Sequence, residues 1–473
     1  MLRDRYDPMN LFTLVPTLSL ALEPVLAQLD RLLEDDWLFQ RVKADLLRRA
    51  PHTATRGRPS TPVEVILRML VVKRLYRWSY EETEHFVADS LVLRQFCRVY
   101  LAAVPDDTTL LRWANLIGAE TIATLNDRVV ELAQALKVTR GRKLRVDSTV
   151  VETTIHHPTD SRLLGDGVRV LSRWLRRAKR VLAGGVQKMG QALFRSRTRS
   201  VRRLAQQIHR LARRRGEEAA EQMQAAYARV LAVARQSCAQ AERVGAALQR
   251  RRGDAARRVS QALAHYLPLV TQVIGQAHRR VLEGAVVPAQ EKLLSLFEPH
   301  TQVIQRHKPG QPVEFGRKLW LDEVEGGIIS RYAILENAGP DHPYLAASLA
   351  GHVDRFGKPP QLIAGDRGIY TPDNERLAHQ EGVKRVVMPC TGRTSPQRIQ
   401  YERTPWFRRG FRFRAGIEGR ISVLRRRFGL DRCRDHGAAG LGRWVGWGIV
   451  TANLVKIAHT VAGRSTVTKA RAA

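Results

Sequence analysis

The spacing of hydrophobic and polar positions changes several times along the chain. In the first part, apolar positions recur with the period of amphipathic helices. The stretch "GRKLRVDSTVVETTI" alternates instead and is rich in β-branched residues, which predicts a strand. Helical spacing then returns, and short apolar runs later alternate with helical patterns. The pattern predicts five segments: an N-terminal helical domain (1–140), the first part of an α/β core (141–164), a helical insertion (165–300), the remainder of the core (301–460) and a disordered basic tail (461–473).

Start signals mark the helices of the N-terminal domain. Ser60 and Thr61 are candidate N-caps of a helix that has Pro62 in its first turn. Ser79 and Glu82 have the spacing of a capping box, which predicts the start of another helix. Helices separated by tight turns suit a helix-turn-helix module that binds DNA. They suit equally a helical bundle without a DNA role.

The C-terminal part predicts strands that alternate with helices. Two strand patterns flank Gly326-Gly327, a two-residue hairpin signal. A helix, a short buried strand, a helix that starts at Thr371 and Pro372, a further strand and a long arginine-rich helix follow. Three acids near the hairpin are expected to be solvated: Asp322, Glu323 and Glu325.

The charge of the chain points to a polyanionic partner. The formal net charge is +34 and the isoelectric point is about 11.1. Between residues 165 and 300, 27 Lys and Arg face 9 Asp and Glu, a net charge of +18. Nucleic acid is the first interpretation of such a surplus and an anionic membrane surface is the second.

Cysteine usage and the apolar stretches bear on the compartment. The four cysteines are scattered, with none at metal-ligand spacing, so neither a zinc knuckle nor a redox pair is indicated. We expect reduced thiols in a cytoplasmic protein associated with DNA. The longest apolar stretch is interrupted by Pro16, Glu23 and Pro24, and no stretch reaches the about 18–20 residues of a membrane span. The longest apolar stretch also lacks the clear basic start and the small-residue cleavage site of a signal peptide.

Three acids stand out by position. Asp147 lies within the first core strand, Asp366 ends a buried strand before a Gly-containing turn, and Glu418 lies on the arginine-rich helix. A carboxylate in such a place is costly unless something compensates it, and a divalent cation does so. Carboxylates in this sparse arrangement suit two Mg²⁺ ions, for which Mn²⁺ is expected to substitute, acting on a phosphodiester. Each acid also has a simpler interpretation: Asp147 as a strand-end cap, Asp366 as a turn residue and Glu418 as a salt-bridge partner.

The arginine-rich helix places selected side chains on one face. Phe411, Arg414, Glu418 and Arg425 fall within about 60° of one another on a helical wheel. Guanidinium groups beside a metal-binding acid are suited to hold phosphate. Other arginines on this helix point elsewhere, as solvated charge or as contacts to the DNA backbone: Arg412, Arg420 and Arg426.

These residues resemble a family signature. The sequence is similar to bacterial insertion-sequence DDE transposases with an RNase H-like core, most of all the ISNCY group. Their glutamate helix carries Tyr, Arg, Glu and Lys, which Phe411, Arg414, Glu418 and Arg425 match with the same spacing. The segments "VDSTVVETTIHHPTDSRLL" and "AGDRGIY" resemble those of the two family aspartates. The resemblance is weak over 165–300. Phe in place of Tyr removes a hydroxyl, and Arg in place of Lys keeps the charge with a different geometry.

The resemblance implies a fold and an activity. The fold would be an α/β RNase H-like catalytic core with a mixed sheet, an N-terminal all-helical domain and a basic helical insertion. Adjacent first and fourth strands would bring Asp147 and Asp366 together, although 219 positions separate them. With Glu418 they would hold two Mg²⁺ ions. The protein would bind terminal inverted repeats of double-stranded DNA, cleave them and join the 3′ ends to target DNA, as a homo-oligomer on DNA and without a membrane. Four arginines are candidates for phosphate or DNA binding: Arg414, Arg425, Arg420 and Arg367.

Two alternatives remain open. A nuclease of the same fold would use the same acids and stop after hydrolysis. A non-catalytic DNA-binding protein derived from a transposase would have lost an acid, and all three acids are present here. Separately, His156 and His157, followed by Asp160, could suggest a metal cluster. A loop beside the active site that touches flanking DNA is the favoured interpretation, because neighbouring side chains of a strand point to opposite faces.

Overall fold

The computed structural model divides the chain into two compact units. The first comprises Met1–Glu152 with Lys318–Ala473, and the second comprises Thr153–Arg317. The structure describes these residues: 1–6, 22–49, 52, 55, 59–182, 189–308, 311–392 and 394–472. Much of the predicted N-terminal apolar stretch, including Pro16, lies outside them. In the part of the chain that is described, no helix is both long and apolar enough to traverse a bilayer.

The N-terminal part of the first unit is helical, as its pattern predicts. The helices are α1 (Pro24–Leu32), α2 (Asp36–Leu47), α3 (Val63–Tyr76), α4 (Tyr80–Asp89), α5 (Leu91–Phe96), α6 (Asp107–Ala114) and α7 (Ala119–Ala135). The capping box of α4 is confirmed, since Ser79 and Glu82 each satisfy the other's backbone N–H. The predicted cap of α3 is wrong. Pro62 occupies the N-cap position with extended backbone, and the Ser60 hydroxyl donates instead to the carbonyl of Thr61.

A mixed sheet forms the centre of the first unit. Its strands are β1 (Lys143–Glu152), β3 (Gln311–Val324, whose first half belongs to the second unit), β4 (Ile328–Ile334), β5 (Leu362–Ala364) and β6 (Arg385–Val387). The strand order is β3-β1-β5-β6, with β4 also paired to β3. The β1–β5 and β5–β6 pairs are parallel, and the β3–β4 pair is antiparallel.

The predicted β3–β4 hairpin is confirmed. The connection has three residues, 325–327, between the paired Val324 and Ile328, and both glycines have positive φ, 89° at Gly326 and 77° at Gly327, which glycine adopts readily. The prediction that the acids near it are solvated is wrong. Asp322 and Glu323 are buried, and each is compensated by a charged partner, Asp322 by Arg331 and Glu323 by Arg145. Glu325 accepts hydrogen bonds from the backbone N–H groups of 140, 142 and 143.

Helices cover the sheet of the first unit. They are α12 (Leu345–Phe356), α13 (Pro372–Gln380), α14 (Pro396–Arg403), α15 (Pro405–Phe428) and α16 (Gly437–Ala472). The predicted start of α13 is confirmed, since the Thr371 side chain accepts from the N–H of Asn374. Helix α14 has no counterpart in the sequence prediction. The predicted disordered tail from 461 differs from the structure, in which α16 continues to 472, since extending a helix that has already formed avoids the cost of nucleation.

The second unit is mainly helical and has its own apolar core. It contains α8 (Asp160–Val181), α9 (Thr198–Leu211), α10 (Glu217–Gln249), α11 (Asp254–Val281) and β2 (Gln302–Lys308), which pairs antiparallel with the first half of β3. Buried aliphatic residues such as Leu171, Val230 and Val270 hold the helices together. The predicted insertion 165–300 lies inside this unit. In chain order the unit begins directly after β1 and ends within β3.

Candidate active site

The register of two parallel strands brings the two aspartates to one edge of the sheet. Arg145 of β1 lies opposite Ala364, the last residue of β5. Asp147 and Asp366 each follow two residues later, so they extend the same register. The Asp147 side chain is 12% exposed and the Asp366 side chain is 36% exposed. The apolar strands therefore fix one carboxyl group inside the sheet and the other at its accessible end.

Arg414 connects all three predicted acids. Its Nη2 lies 3.1 Å from Oδ2 of Asp147 and 3.9 Å from Oδ2 of Asp366. Its Nη1 donates to Oε1 of Glu418 at 2.7 Å, one helical turn along α15. The structure thus gathers at one guanidinium three carboxylates that come from β1, the end of β5 and α15.

Burial perturbs the pKa of Asp147. Removal from water raises its pKa to about 6, Arg414 opposes the rise, and the neighbouring Asp366 and Asp341 add to it. The N–H of Ser148 donates to Oδ1 of Asp147 at 2.8 Å, which also favours the charged form. The ionised carboxylate of Asp147 is therefore undercompensated, even with Arg414 in contact.

The simpler interpretations of Asp366 and Glu418 describe only part of their surroundings. Oδ1 of Asp366 accepts from the N–H of Ile369 at 3.1 Å, as a turn residue does, while its Oδ2 faces Arg414. Glu418 is a salt-bridge partner of Arg414, but its side chain is 67% exposed. Glu418 therefore stands at the open side of the cluster, where a ligand can reach it.

A second ion pair docks the glutamate helix on the sheet. Arg145 of β1 donates to both carboxylate oxygens of Glu323, at 2.8 and 2.6 Å, and also to the backbone carbonyl of Phe413 on α15. A Cβ atom at Gly416 would lie 2.3 Å from Nη1 of Arg145, so the helix approaches this side chain closely because position 416 has no side chain. This contact holds α15 close to β1, and so positions Glu418 relative to Asp147. Sequence reasoning missed Arg145 and Glu323, whose contacts join distant segments.

Asp341 is a further acid that sequence reasoning missed. Its Oδ2 accepts from the hydroxyl of Ser148 at 2.8 Å, next to Asp147, and its Oδ1 lies 2.7 Å from Nζ of Lys318. Asp341 precedes a 3₁₀ turn between β4 and α12, and no motif in the sequence marks it. Asp341 therefore orients the strand residue beside Asp147 while Lys318 balances its charge.

The remaining predicted arginines occupy different surroundings. Arg420 is turned away from the acids, since its Nη2 donates to Oδ1 of Asn453 at 3.3 Å and burial lowers its pKa. Arg425 is half-buried and makes no ion pair with a described side chain, the three acids included. Arg367 is exposed and lines an open cavity of about 470 Å³ directly after Asp366. Phe411, 44% exposed, lines the same cavity.

The donor set suits a hard divalent cation, but the centre of the cluster holds a guanidinium. Three carboxylates provide the oxygen ligands that Mg²⁺ prefers. Among the described side chains, no group of three or more His, Cys, Asp or Glu is arranged to hold a metal ion. Arg414 supplies the positive charge there instead. Metal binding by these acids would therefore require the Arg414 side chain to move.

Comparison with known proteins gives one match, and it concerns the N-terminal helices. Residues 19–116 match a family model described as a transposase domain (DUF772). No curated protein and no solved structure matches the chain. The matched segment ends before β1, so it contains none of the three acids. The similarity to a transposase domain is thus shown for this N-terminal segment.

Proposed function

We propose that this protein is a DDE-type DNA transposase in which Asp147, Asp366 and Glu418 are the catalytic acids. The observation that carries the proposal is their convergence on Arg414 from three segments that are far apart in sequence. Other arginines of the fold also pair with more than one acid, such as Arg398 with Glu375 and Glu402. In this cluster, however, burial leaves the Asp147 carboxylate undercompensated. Three carboxylates around one guanidinium leave excess negative charge, which a bound cation would neutralise.

The strand order supports an RNase H-like core. Counted without β2, the sheet has β1 as first strand and β5 as fourth, and these two are adjacent and parallel. This is the adjacency that the resemblance to DDE transposases implies. The second unit then lies in chain order between the first and second strands, as an insertion would.

The acids and Arg414 would have different roles in the reaction of a phosphodiester: the acids would bind metal ions, and Arg414 would bind phosphate. Asp147, Asp366 and Glu418 would hold Mg²⁺, which when bound polarises phosphate oxygens and activates the attacking oxygen. Release from the acids would free both Nη atoms of Arg414 to donate to a non-bridging phosphate oxygen. The exposed position of Glu418 would let the acids receive DNA without opening the fold.

The cavity after Asp366 offers a path for the DNA strand. Arg367, Arg408 and Arg412 line it together with the exposed ring of Phe411. Arginines bind the backbone, and an exposed aromatic ring can stack on a base. The cavity would therefore hold nucleotides next to the scissile phosphate.

Replacement of single acids tests the proposal. Asp147→Ala, Asp366→Ala and Glu418→Ala should each abolish Mg²⁺-dependent cleavage of end DNA and strand transfer from a precut 3′ end, whereas DNA affinity should be largely retained. Asp354→Ala, at an exposed acid of α12, is the matched control and should remain active. Full cleavage by any of the three variants would refute the assignment. Cleavage without strand transfer by the wild type would identify a nuclease instead.

A further inference from the structure

A groove in the second unit gathers cationic side chains from two helices. The start of α8 and one face of α9 line an open groove of about 900 Å³. Its basic and imidazole side chains are His157, Arg162, Arg202, His209 and Arg210. The residues that line it in the described part of the chain include no acid. The groove is therefore a concentrated positive surface.

The arginines of the groove lack partners of opposite charge. Arg162, Arg202 and Arg210 are exposed, and none of them makes an ion pair with a described side chain. The acids of α8 are engaged elsewhere, Asp160 with Arg280 at 2.8 Å and Asp166 with Arg169 at 2.8 Å. Crowded cations without counter-charge attract a polyanion and release counterions when it binds.

The geometry of α9 suits a phosphate backbone. Arg202 and Arg210 are eight residues apart on one side of the helix, about 12 Å along its axis. At about 3.4 Å of axis per phosphate of one strand, this distance spans about three phosphates of duplex DNA. The amide of Gln206, which lies between them in the groove, can donate to a further phosphate oxygen.

The start of α8 adds the positive end of a helix dipole. Thr159 is the N-cap of this 22-residue helix, and its side chain accepts from the N–H of Arg162, so this N–H is already satisfied. The helix start still carries partial positive charge, which favours an anion nearby. Here that helix start opens into the same groove as the unpaired arginines.

The apolar face of α9 excludes a membrane as the favoured partner. Val201, Ile208 and Leu211 are buried in the core of the second unit. A helix that binds a bilayer surface inserts an apolar face, and α9 has already buried its own. A ligand in the groove would therefore meet only the polar and cationic side of α9.

We propose that this groove binds the phosphodiester backbone of duplex DNA without reading bases. The proposal deepens the proposed function, and it rests on that function only in taking DNA as the partner. It assigns to the second unit a DNA contact that involves none of the three acids.

A pair of matched triple variants of the full chain tests the groove. One carries R162A, R202A and R210A, and the other carries R229A, R235A and R243A on exposed positions of α10. Each loses three positive charges. Binding of labelled duplex DNA is measured by fluorescence anisotropy over a series of KCl concentrations in EDTA, so that no metal-dependent chemistry contributes.

The groove variant should bind more weakly, and the log–log salt slope should become shallower by about 2–3, since each phosphate contact contributes about 0.9. The α10 variant should change the slope by less than about 1, because its charges act only at a distance. A third protein with R162K, R202K and R210K should keep most of the slope, which separates loss of charge from a folding defect. Equal slopes for the two alanine variants would refute the proposal.

A vesicle-binding experiment distinguishes DNA phosphates from the phosphates of lipid headgroups. Binding to phosphatidylserine vesicles should fall equally in the groove variant and the α10 variant, because it would depend only on net charge. Loss of vesicle binding with unchanged DNA binding would assign the groove to a membrane and overturn the proposal. Because all arms exclude metal, these results do not depend on whether Asp147, Asp366 and Glu418 catalyse cleavage, and the two proposals can fail separately.

Discussion

At the scale of single residues, Arg414 sets the charge balance of the candidate active site. It contacts three carboxylates, of which Asp147 is buried and has its pKa raised to about 6. The guanidinium occupies the position where a metal ion would neutralise the same oxygens. Arg414 and a divalent cation should therefore compete for the acids, although both would serve one phosphodiester reaction.

We expect Arg414→Ala to destabilise the metal-free protein by about 2 kcal/mol, because it leaves a buried carboxylate without its charged donor. Added Mg²⁺ should then raise the melting temperature of the variant more than that of the wild type, since the cation no longer displaces an arginine. The rate of DNA cleavage should fall far more than DNA affinity does. Arg427→Ala, at an exposed arginine near the end of the same helix without an ion pair to a described side chain, is the control and should show neither effect. An equal Mg²⁺ response in both variants would contradict the competition.

His352 gives the fold a pH dependence that can be separated from that of the active site. Its Nε2 pairs with the carbonyl of Gly141 at 2.9 Å, and its Nδ1 is buried without a partner, so burial lowers its pKa to about 4. The unfolded chain therefore binds this proton near pH 6.5 and the folded chain only near pH 4. The stability that neutral His352 contributes is present above pH 6.5 and is lost as the pH falls toward 4.

Relative to His352→Gln, the wild type should lose about 3 kcal/mol of unfolding free energy between these pH values. Chemical denaturation at several pH values measures this difference. The raised pKa of Asp147 acts in the opposite direction over the same range, but it is common to both proteins and cancels. Parallel pH profiles of the two proteins would show that His352 is not held neutral by the fold.

At the scale of elements, the docking of α15 on β1 determines where Glu418 lies. Gly416→Ala would place a methyl group against Arg145, whose guanidinium is tied to Glu323 and to the carbonyl of Phe413. We expect a loss of about 1–3 kcal/mol in stability, as is usual for overpacking, together with reduced cleavage. Gly419→Ala on the same helix has open space around its Cβ and should stabilise the protein by up to about 1 kcal/mol. Thermal unfolding of the two variants measures the contrast, and equal shifts would refute the docking role.

The elements also show how far the sequence alone predicts the site. The pairing of Arg414 with Glu418 follows from helical spacing, because residues four apart on a helix are neighbours. The approach of Asp147 to Asp366 depends on strand order, which local patterns do not encode, and here the family resemblance anticipated it. The pair of Arg145 with Glu323 was missed because 178 residues separate its members. The burial of Asp322 and Glu323 was missed for a related reason. Charged residues are mostly exposed, so the sequence predicts exposure unless the buried partner from another strand is known.

At the scale of the whole molecule, about half of the surplus charge lies outside the unit that holds the candidate acids. The candidate acids lie in the first unit, whereas residues 165–300 of the second unit contribute +18 of the total charge of +34. The two parts should therefore respond differently to salt. Affinity should fall with ionic strength mainly through the second unit, while the loss of an acid should abolish cleavage at any salt concentration.

Removal of the second unit tests this division. The N–H of Thr153 donates to the carbonyl of Phe315 at 3.1 Å, so the two ends of the unit lie close together and a short Gly/Ser linker can replace residues 154–314. The shortened protein should unfold cooperatively, because the sheet and the helices of the first unit have their own core. It should bind duplex DNA more weakly, with a salt slope shallower than that of the triple groove variant, since it also loses every other cation of the unit. A folded protein with an unchanged slope would mean that the second unit does not contact phosphate, and its surplus of arginine would then have to serve contacts with other proteins.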